Sequence, residues 1–349
     1  MPRASGIASA CMDKQEDIIR RLRDQIRRQE RRKRTDAPPD APTDPAPPTV
    51  PVDQPPAAPD KPSQDAQSAT GPPGADSVGP SGPSPIVFRR DLPHCPAPPS
   101  WAPSLTAPGP MVSLEQAVGG MEVCPEDGGR FYEVRHDLRE LAGGWEDLCE
   151  QFATVCGRGS LGRWGLPDQA IDGPADLALL DLETTGLGSC MIFLAGVMSW
   201  EGDGLVVRQL LARDYAEEPA VLAALARRLA TKRVLVTFNG KSFDWPTCCV
   251  RAAANAVAWR MDLAHLDLLH TSRRMLRGRT PDCRLQTLER HLCHRVRNDD
   301  IPGSRIPEAY HAFVRTGHAG QLALIMKHNR LDLMTLADLM ARLADLDQT

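Results

Sequence analysis

The fold of this chain is decided by residues 177–188, which read LALLDLETTGLG. The apolar run predicts a buried β-strand, and it ends in two carboxylates, Asp181 and Glu183. Because side chains alternate faces along a strand, both carboxylates point the same way. Adjacent carboxylates repel each other unless a cation lies between them, and Mg²⁺ prefers such oxygen ligands. An Asp-x-Glu pair alone is a weak signal, since solvated acids are common at strand ends.

Two later stretches supply matching residues. Residues 234–244, VLVTFNGKSFD, predict a second buried strand, a turn at Asn-Gly, and a helix that Ser242 or Asp244 opens. Near the C-terminus, His328 and Asp332 lie within an apolar pattern of helical period, so that they share one face. Four carboxylates converging from these elements predict a phosphodiesterase centre with two ions about 3.5–4 Å apart.

These residues resemble the three motifs of the DEDD superfamily of exonucleases, whose fold is ribonuclease-H-like. The first motif lies at 181–187, the second (Asn-x4-Asp) at 239–244 and the third at 328–332. Further phrases are similar to the bacterial YprB-type ribonuclease-H-like family, over roughly residues 85–349. They are HLDLL at 265–269, LQTLE at 285–289 and IPGSRIP at 301–307.

The resemblance implies a magnesium-dependent 3′→5′ exonuclease. The implied ligands of two Mg²⁺ or Mn²⁺ ions are Asp181, Glu183, Asp244 and Asp332, and His328 joins them as a catalytic residue. The implied contacts to the substrate come from the first two motifs: Thr184, Thr185, Gly186, Leu187, Asn239 and Lys241.

The third motif departs from the superfamily in its spacing. The histidine branch usually has His-x4-Asp and the tyrosine branch Tyr-x3-Asp, whereas His328 and Asp332 are spaced His-x3-Asp. One residue turns a helical side chain by about 100°. His328 is therefore a general base, a weaker water-orienting residue or a group that caps the site, and the sequence leaves these alternatives open.

The periodicity predicts an α/β fold, a ribonuclease-H-like mixed sheet flanked by helices. The predicted strands are 131–134, 176–182, 190–200, 204–212 and 233–238. The predicted helices are 145–156, 217–230, 243–257, 265–277, 284–293, 307–316 and 320–346.

Amino-acid composition divides the chain into segments with different predicted structures. Of its 32 prolines, 23 lie between residues 38 and 110, which predicts a disordered Pro-rich linker over 37–110. Residues 1–36 predict a basic helix ahead of it. Residues 111–170 predict a lead-in segment packed on the core, and residues 171–349 the exonuclease domain.

Charge excludes a uniformly basic nucleic-acid coat protein, because the formal net charge of the 349 residues is −4. Contacts to single-stranded DNA or RNA must then come from local patches. The candidates are the basic cluster 31–34 and four arginines, Arg273, Arg274, Arg277 and Arg279, near the end of a helix starting around Leu266. A solvated helical face is the alternative for both.

Cysteine usage favours reduced thiols in a cytoplasmic protein. None of the ten cysteines falls in C-x2-C spacing, and the group Cys283, His291, Cys293 and His294 lacks the second half of a zinc site. No signal peptide opens the chain and no apolar run approaches about 20 residues, which predicts no membrane partner. The favoured function is a metal-dependent nuclease. The alternative is a non-catalytic nucleic-acid-binding or adaptor protein that retains the fold.

Overall fold

The computed structural model describes residues 111–126, 128–141, 145–157, 160–166, 171–186 and 190–347. The predicted N-terminal helix (1–36) and linker (37–110) lie outside these ranges, as does Leu187. The sequence-based expectations for those residues stay predictions.

The described part of the chain contains a seven-stranded mixed sheet with the strand order β1-β2-β5-β4-β3-β6-β7. Strands β1 to β5 pair antiparallel along this order, whereas β6 and β7 run parallel to β3. Their bounds are β1 Met121–Val123, β2 Phe131–Asp137, β3 Leu177–Thr184, β4 Ile192–Glu201, β5 Gly204–Leu211, β6 Val234–Thr237 and β7 Ala264–Asp267.

Helices cover both faces of this sheet, and each face packs in its own apolar cluster. Their bounds are α1 Leu114–Val118, α2 Glu146–Gly157, α3 Ser160–Arg163, α4 Glu218–Leu229, α5 Asp244–Ala254, α6 Leu268–Met275, α7 Leu285–Leu292, α8 Ile306–Thr316 and α9 Gly320–Leu346, with 3₁₀ turns at Pro174–Asp176 and Gly303–Arg305. The predicted ribonuclease-H-like mixed sheet flanked by helices is confirmed.

The alternation of side chains along β3 divides the apolar core in two. Ala178 and Leu180 pack in a cluster with α4, α5 and α8. Leu177 and Leu179 pack in a second cluster with α2, α6, α7 and the C-terminal half of α9. Asp181 continues the second set, so its side chain points towards α9 and not towards α4.

The parallel strands bring the ends of three segments together. β3, β6 and β7 run in one direction, so their carboxyl ends meet at one edge of the sheet. Clefts outside the carboxyl ends of parallel strands are the usual ligand sites of α/β sheets. The register between β3 and β4 shifts between Glu183 and Thr184 at this edge, as in a β-bulge.

The predicted helix over 265–277 was wrong at its start. Ala264–Asp267 is a strand, β7, and the helix begins only at Leu268. Helical periodicity does not separate a four-residue buried strand from the helix that follows it directly. The short strand β1 and helix α1 were also not predicted, and β1 and β2 within the expected lead-in segment are part of the sheet.

Within the described ranges, no helix is both long enough and apolar enough to cross a membrane.

Candidate active site

The carboxylates of the first motif lie near the carboxyl end of β3. Asp181 pairs with Gly196 of β4, and Glu183 pairs with Leu194 two positions away. The Nδ2 group of Asn329, on α9, donates to Asp181 Oδ2 at 2.8 Å and to the Asp181 carbonyl oxygen at 3.1 Å. Gln209 Nε2 in turn donates to Asn329 Oδ1 at 2.9 Å. This buried amide therefore fixes the carboxylate of Asp181 against the helix.

Glycine is required at position 196 for this contact. A Cβ atom there would lie 2.1 Å from Asn329 Oδ1, which already accepts the hydrogen bond from Gln209. The absence of a side chain on β4 lets α9 approach the sheet beside Asp181.

The second motif is a loop held by a carboxylate that lies outside it. Asp267, at the end of β7, accepts hydrogen bonds from the backbone N–H groups of Asn239 at 2.8 Å and Lys241 at 3.1 Å. Asn239 has φ 65°, a left-handed conformation that asparagine tolerates better than most residues. The loop leads directly into α5, which begins at Asp244.

The third motif lies on α9. His328 Nε2 is 3.5 Å from Asp332 Oδ2, one helical turn away, as the i,i+4 spacing predicts. The other ring nitrogen, Nδ1, is 2.7 Å from Asp300 Oδ1. Arg297 Nη2 donates to Asp332 Oδ1 at 2.5 Å, and Arg297 Nε donates to buried Glu289 at 2.6 Å. His328 and Asp332 are thus each held by a partner from the loop after α7.

The carboxylates of the three motifs interact electrostatically. Burial raises the pKa of Asp181 well above its usual range, and the charges of Asp332, Glu183 and Asp244 raise it further. Burial likewise raises the pKa of Glu183 to about 8, although the charge of His328 opposes this. The pKa of Asp244 is raised to about 7, mainly by burial. Negative charge at this edge is therefore only partly compensated.

The pKa of the His328 imidazole is also raised, and for a base this favours the charged form. Burial lowers its pKa, but the hydrogen bond to Asp300 and the charges of Asp332 and Glu183 outweigh burial and raise the pKa to about 9. His328 is consequently an imidazolium at neutral pH and supplies positive charge to the cluster.

The donor set fits a hard divalent cation, because it offers half-buried carboxylate oxygens whose negative charges repel one another and would be neutralised by an ion. In the described ranges, however, no three His, Cys, Asp or Glu side chains already form a group that would hold an ion. Arg297 and Asn329 occupy one oxygen each of Asp332 and Asp181. An ion would therefore compete with these hydrogen bonds.

Comparison with known families is consistent with this arrangement. The family model of the ribonuclease H superfamily matches residues 178–344, which include all four carboxylates. Residues 178–344 are thus similar to the ribonuclease H superfamily.

One curated protein is similar to part of this chain and points to a family within the superfamily. The "Uncharacterized protein YprB" of Bacillus subtilis (strain 168) is 31% identical over 171 residues, covering 47% of this chain. The match spans 41% of the relative's own length. The resemblance to the YprB-type ribonuclease-H-like family is confirmed.

Within the described ranges, the predicted substrate contacts Thr184, Thr185 and Gly186 follow Glu183 directly, and Asn239 and Lys241 precede Asp244; their roles stay predictions. Thr184 Oγ1 donates to the Gly186 carbonyl oxygen at 2.7 Å, and the Thr185 N–H donates to the Met191 carbonyl oxygen at 3.0 Å. These bonds fix the backbone directly after Glu183. The side chain of Lys241 is exposed beside the Asn239 turn.

Sequence reasoning missed the residues that hold the motif side chains. They are Gln209, Asp267, Arg297, Asp300 and Asn329. Asp267 lies in the HLDLL phrase and Asn329 lies inside the third motif. The sequence therefore pointed to both positions, although it did not predict their contacts. Gln209, Arg297 and Asp300 carry no local signal, because their partners are distant in sequence.

The zinc alternative in the segment 283–294 gains no support. Cys293 is fully buried and its pKa is raised well above the usual value, chiefly by burial, so the thiol keeps its proton. Zinc binds the thiolate. His291 and His294 are exposed.

Proposed function

We propose that this protein is a metal-dependent nuclease, a 3′→5′ exonuclease that hydrolyses phosphodiester bonds of single-stranded DNA or RNA. The observation that carries the proposal is the arrangement of four acids near the carboxyl edge of the sheet. Asp181 and Glu183 lie near the end of β3, Asp181 is hydrogen-bonded to the helix that carries Asp332, and Asp244 begins α5. These half-buried acids, whose ionised forms destabilise one another, lack a structural purpose without a cation.

Asp181, Glu183, Asp244 and Asp332 are the residues that would hold two Mg²⁺ or Mn²⁺ ions. When bound, such ions neutralise the charge that develops on the phosphate oxygens during hydrolysis. Asn329 orients Asp181, and Arg297 orients Asp332, so that the carboxylates are positioned before substrate arrives.

His328 is proposed to assist hydrolysis and not to ligate an ion. Asp300 engages Nδ1, which directs Nε2 towards Asp332 and the water that would attack the phosphate. Thr184, Thr185, Gly186, Leu187, Asn239 and Lys241 are proposed to contact the terminal nucleotides, because they flank the two carboxylate-bearing loops.

The non-catalytic alternative is favoured by one observation. Arg297, which is almost fully buried, already pairs with Asp332 and compensates part of its charge. A protein that binds nucleic acid without hydrolysing it would use such a pair in place of an ion.

The test is digestion of single-stranded DNA and RNA labelled at the 5′ end, with Mg²⁺, with Mn²⁺ and with chelator. A 3′→5′ exonuclease yields a ladder of progressively shorter labelled strands, and the chelator abolishes it. Asp181→Ala should abolish cleavage because it removes a ligand. Asp262→Asn, at an exposed acid preceding β7 at its amino end, is the matched control and should cleave normally.

Products cut internally, or cleavage that persists in Asp181→Ala, would contradict the proposed activity. Tight binding of the labelled strands without cleavage by either metal would favour the non-catalytic alternative.

A further inference from the structure

The segment 270–294 carries concentrated positive charge on a chain whose net charge is negative. It contains two acids, of which Glu289 is buried and paired with Arg297, while Asp282 is exposed. Against these two acids, the segment contains six exposed arginines: Arg273, Arg274, Arg277, Arg279, Arg284 and Arg290. The positive charge of the segment is thus largely uncompensated within it.

The packing of α6 and α7 places these arginines on an outer surface. The apolar residues Leu276, Leu288 and Leu292 are buried with the C-terminal half of α9. The opposite sides of the two helices therefore face solvent. We call this arginine-bearing surface of residues 270–294 the arginine face.

One end of the arginine face lies beside the candidate active site. Gln286 Nε2, in the first turn of α7, donates to Asp300 Oδ2 at 3.3 Å. Asp300 in turn contacts His328 at 2.7 Å. Arg284 comes two residues before Gln286, so it lies close to the third motif.

The other end lies at the far end of α9. Arg274 Nη2 donates to the carbonyl oxygen of Arg163 at 3.1 Å. The guanidinium of Arg163 pairs with Asp347, directly after α9, at 2.8 Å. The arginine face thus runs alongside the helix from its catalytic turn to its C-terminus.

Its length suits a nucleic-acid strand. The helix from His328 to Asp347 spans about 28 Å at a rise of ~1.5 Å per residue. One strand of a stacked helix places phosphates at ~3.4 Å intervals, so that roughly eight phosphates would cover this distance.

We propose that the arginine face binds the phosphate backbone of the strand whose end lies at the carboxylate site. The inference rests on the proposed function for its choice of ligand, and it assigns the surface that holds the strand beyond the reacting nucleotide. Exposed arginines along a helical layer match phosphates irrespective of base, so the binding is independent of sequence.

The test measures binding without hydrolysis. The full chain, in chelator, is titrated into fluorescein-labelled oligothymidylate and oligouridylate, and anisotropy is followed over a range of salt concentrations. The variant Arg277→Ala/Arg279→Ala removes two arginines that touch no catalytic residue. The matched control is Arg260→Ala/Arg315→Ala, two exposed arginines outside the arginine face.

The affinity of Arg277→Ala/Arg279→Ala should fall about tenfold at moderate salt. The slope of log K against log salt should become shallower by about 1.4, since each phosphate contact on a single strand contributes ~0.7. The control should retain both the affinity and the slope of the unaltered protein. With an active enzyme, the same variant raises KM and leaves kcat unchanged.

An unchanged affinity and slope in Arg277→Ala/Arg279→Ala would overturn the inference and make the surface a solvated helical face. An equal loss in the control would overturn it too, because binding would then follow net charge alone. If the slope changes as expected while no metal supports cleavage, the arginine face stands and the proposed nuclease activity fails.

Discussion

Asp300 and Arg297 show how residues outside the motifs shape the chemistry of residues within them. Asp300 engages His328 Nδ1 at 2.7 Å, and Arg297 engages Asp332 at 2.5 Å. The ring orientation of His328 is therefore set by a residue 28 positions earlier in the chain. This hydrogen bond, more than the His-x3-Asp spacing, directs Nε2 towards Asp332.

Replacing Asp300 should reduce the contribution of His328 to hydrolysis without removing a proposed metal ligand. Asp300→Asn removes the charge that engages Nδ1, so hydrolysis should fall about 10- to 100-fold in kcat with little change in KM. The pKa of His328 should also fall, because the hydrogen bond to Asp300 helps to raise it. Steady-state kinetics and imidazole NMR titration measure the two effects.

Asp299→Asn is the control for Asp300→Asn. Asp299 is exposed and has φ 54°, which asparagine also adopts. An unaltered kcat in Asp300→Asn would remove Asp300 from the proposed mechanism.

The raised pKa values of the carboxylates predict how stability depends on pH without metal. Glu183 and Asp244 have folded-state pKa values of about 8 and about 7, above their ordinary values of 4.5 and 3.8. The folded state then holds protons that the unfolded state releases. The contribution of these two groups to stability is therefore fully present below about pH 4 and is lost as pH rises towards about 8. His328, with its pKa raised to about 9, extends the decline in the same direction.

Thermal unfolding in chelator should therefore give a Tm that falls from mildly acidic to mildly basic pH. Mg²⁺ should raise the Tm most at the basic end, where it no longer competes with protons for the carboxylates. A Tm that rises with pH in chelator would contradict the charge coupling of the site.

At the scale of elements, the site depends on how closely α9 approaches β4. The contact between Gly196 and Asn329, which lies 133 positions later in the chain, brings the third motif to the first. Gln209 on β5 and Asp181 on β3 hold the same amide from either side. Three strands and one helix thus meet at one buried side chain.

Gly196→Ala should separate these elements. The added Cβ would lie 2.1 Å from Asn329 Oδ1, which cannot move freely because Gln209 holds it. Overpacking of this kind costs about 1–3 kcal/mol, and it should also weaken metal binding through displaced Asp181. Urea denaturation and metal titration measure the two losses.

Gly157→Ala is the matched control for Gly196→Ala. A Cβ at Gly157 meets nothing within 4 Å, so stability should stay the same or rise slightly. Equal stability of the two variants would show that α9 can move away from β4 without loss.

At the scale of the whole molecule, the catalytic core should fold without the Pro-rich region. The strands of the described sheet and both apolar clusters are formed by residues from Leu114 onwards. A protein of residues 104–349 should therefore unfold cooperatively and keep Mg²⁺-dependent hydrolysis. If residues 104–349 bind the nucleic-acid strand more weakly than the full chain at higher salt, the basic residues at 31–34 contribute contacts to the strand.

Circular dichroism melting and the labelled-strand assay measure these properties for residues 104–349. Loss of the cooperative transition on truncation would place the domain boundary nearer the N-terminus.

The sequence by itself determined the ribonuclease-H-like sheet and the three motifs. Period-2 and period-3.6 patterns are local, and β3, β6 and α9 are long enough or apolar enough to display them. The same patterns did not separate β7 from α6, because a four-residue buried strand and a helix start look alike in composition.

Only the tertiary structure decided which side chains support the motifs. Asp267 reaches the Asn239 loop across the β6–β7 pair, and Asp300 reaches His328 from a loop. Such contacts join residues that are far apart in sequence, and they arise when parallel strands end at one edge and a long helix packs across them. Sequence patterns report which face of an element is buried, whereas the partners on that face are set by how the elements pack.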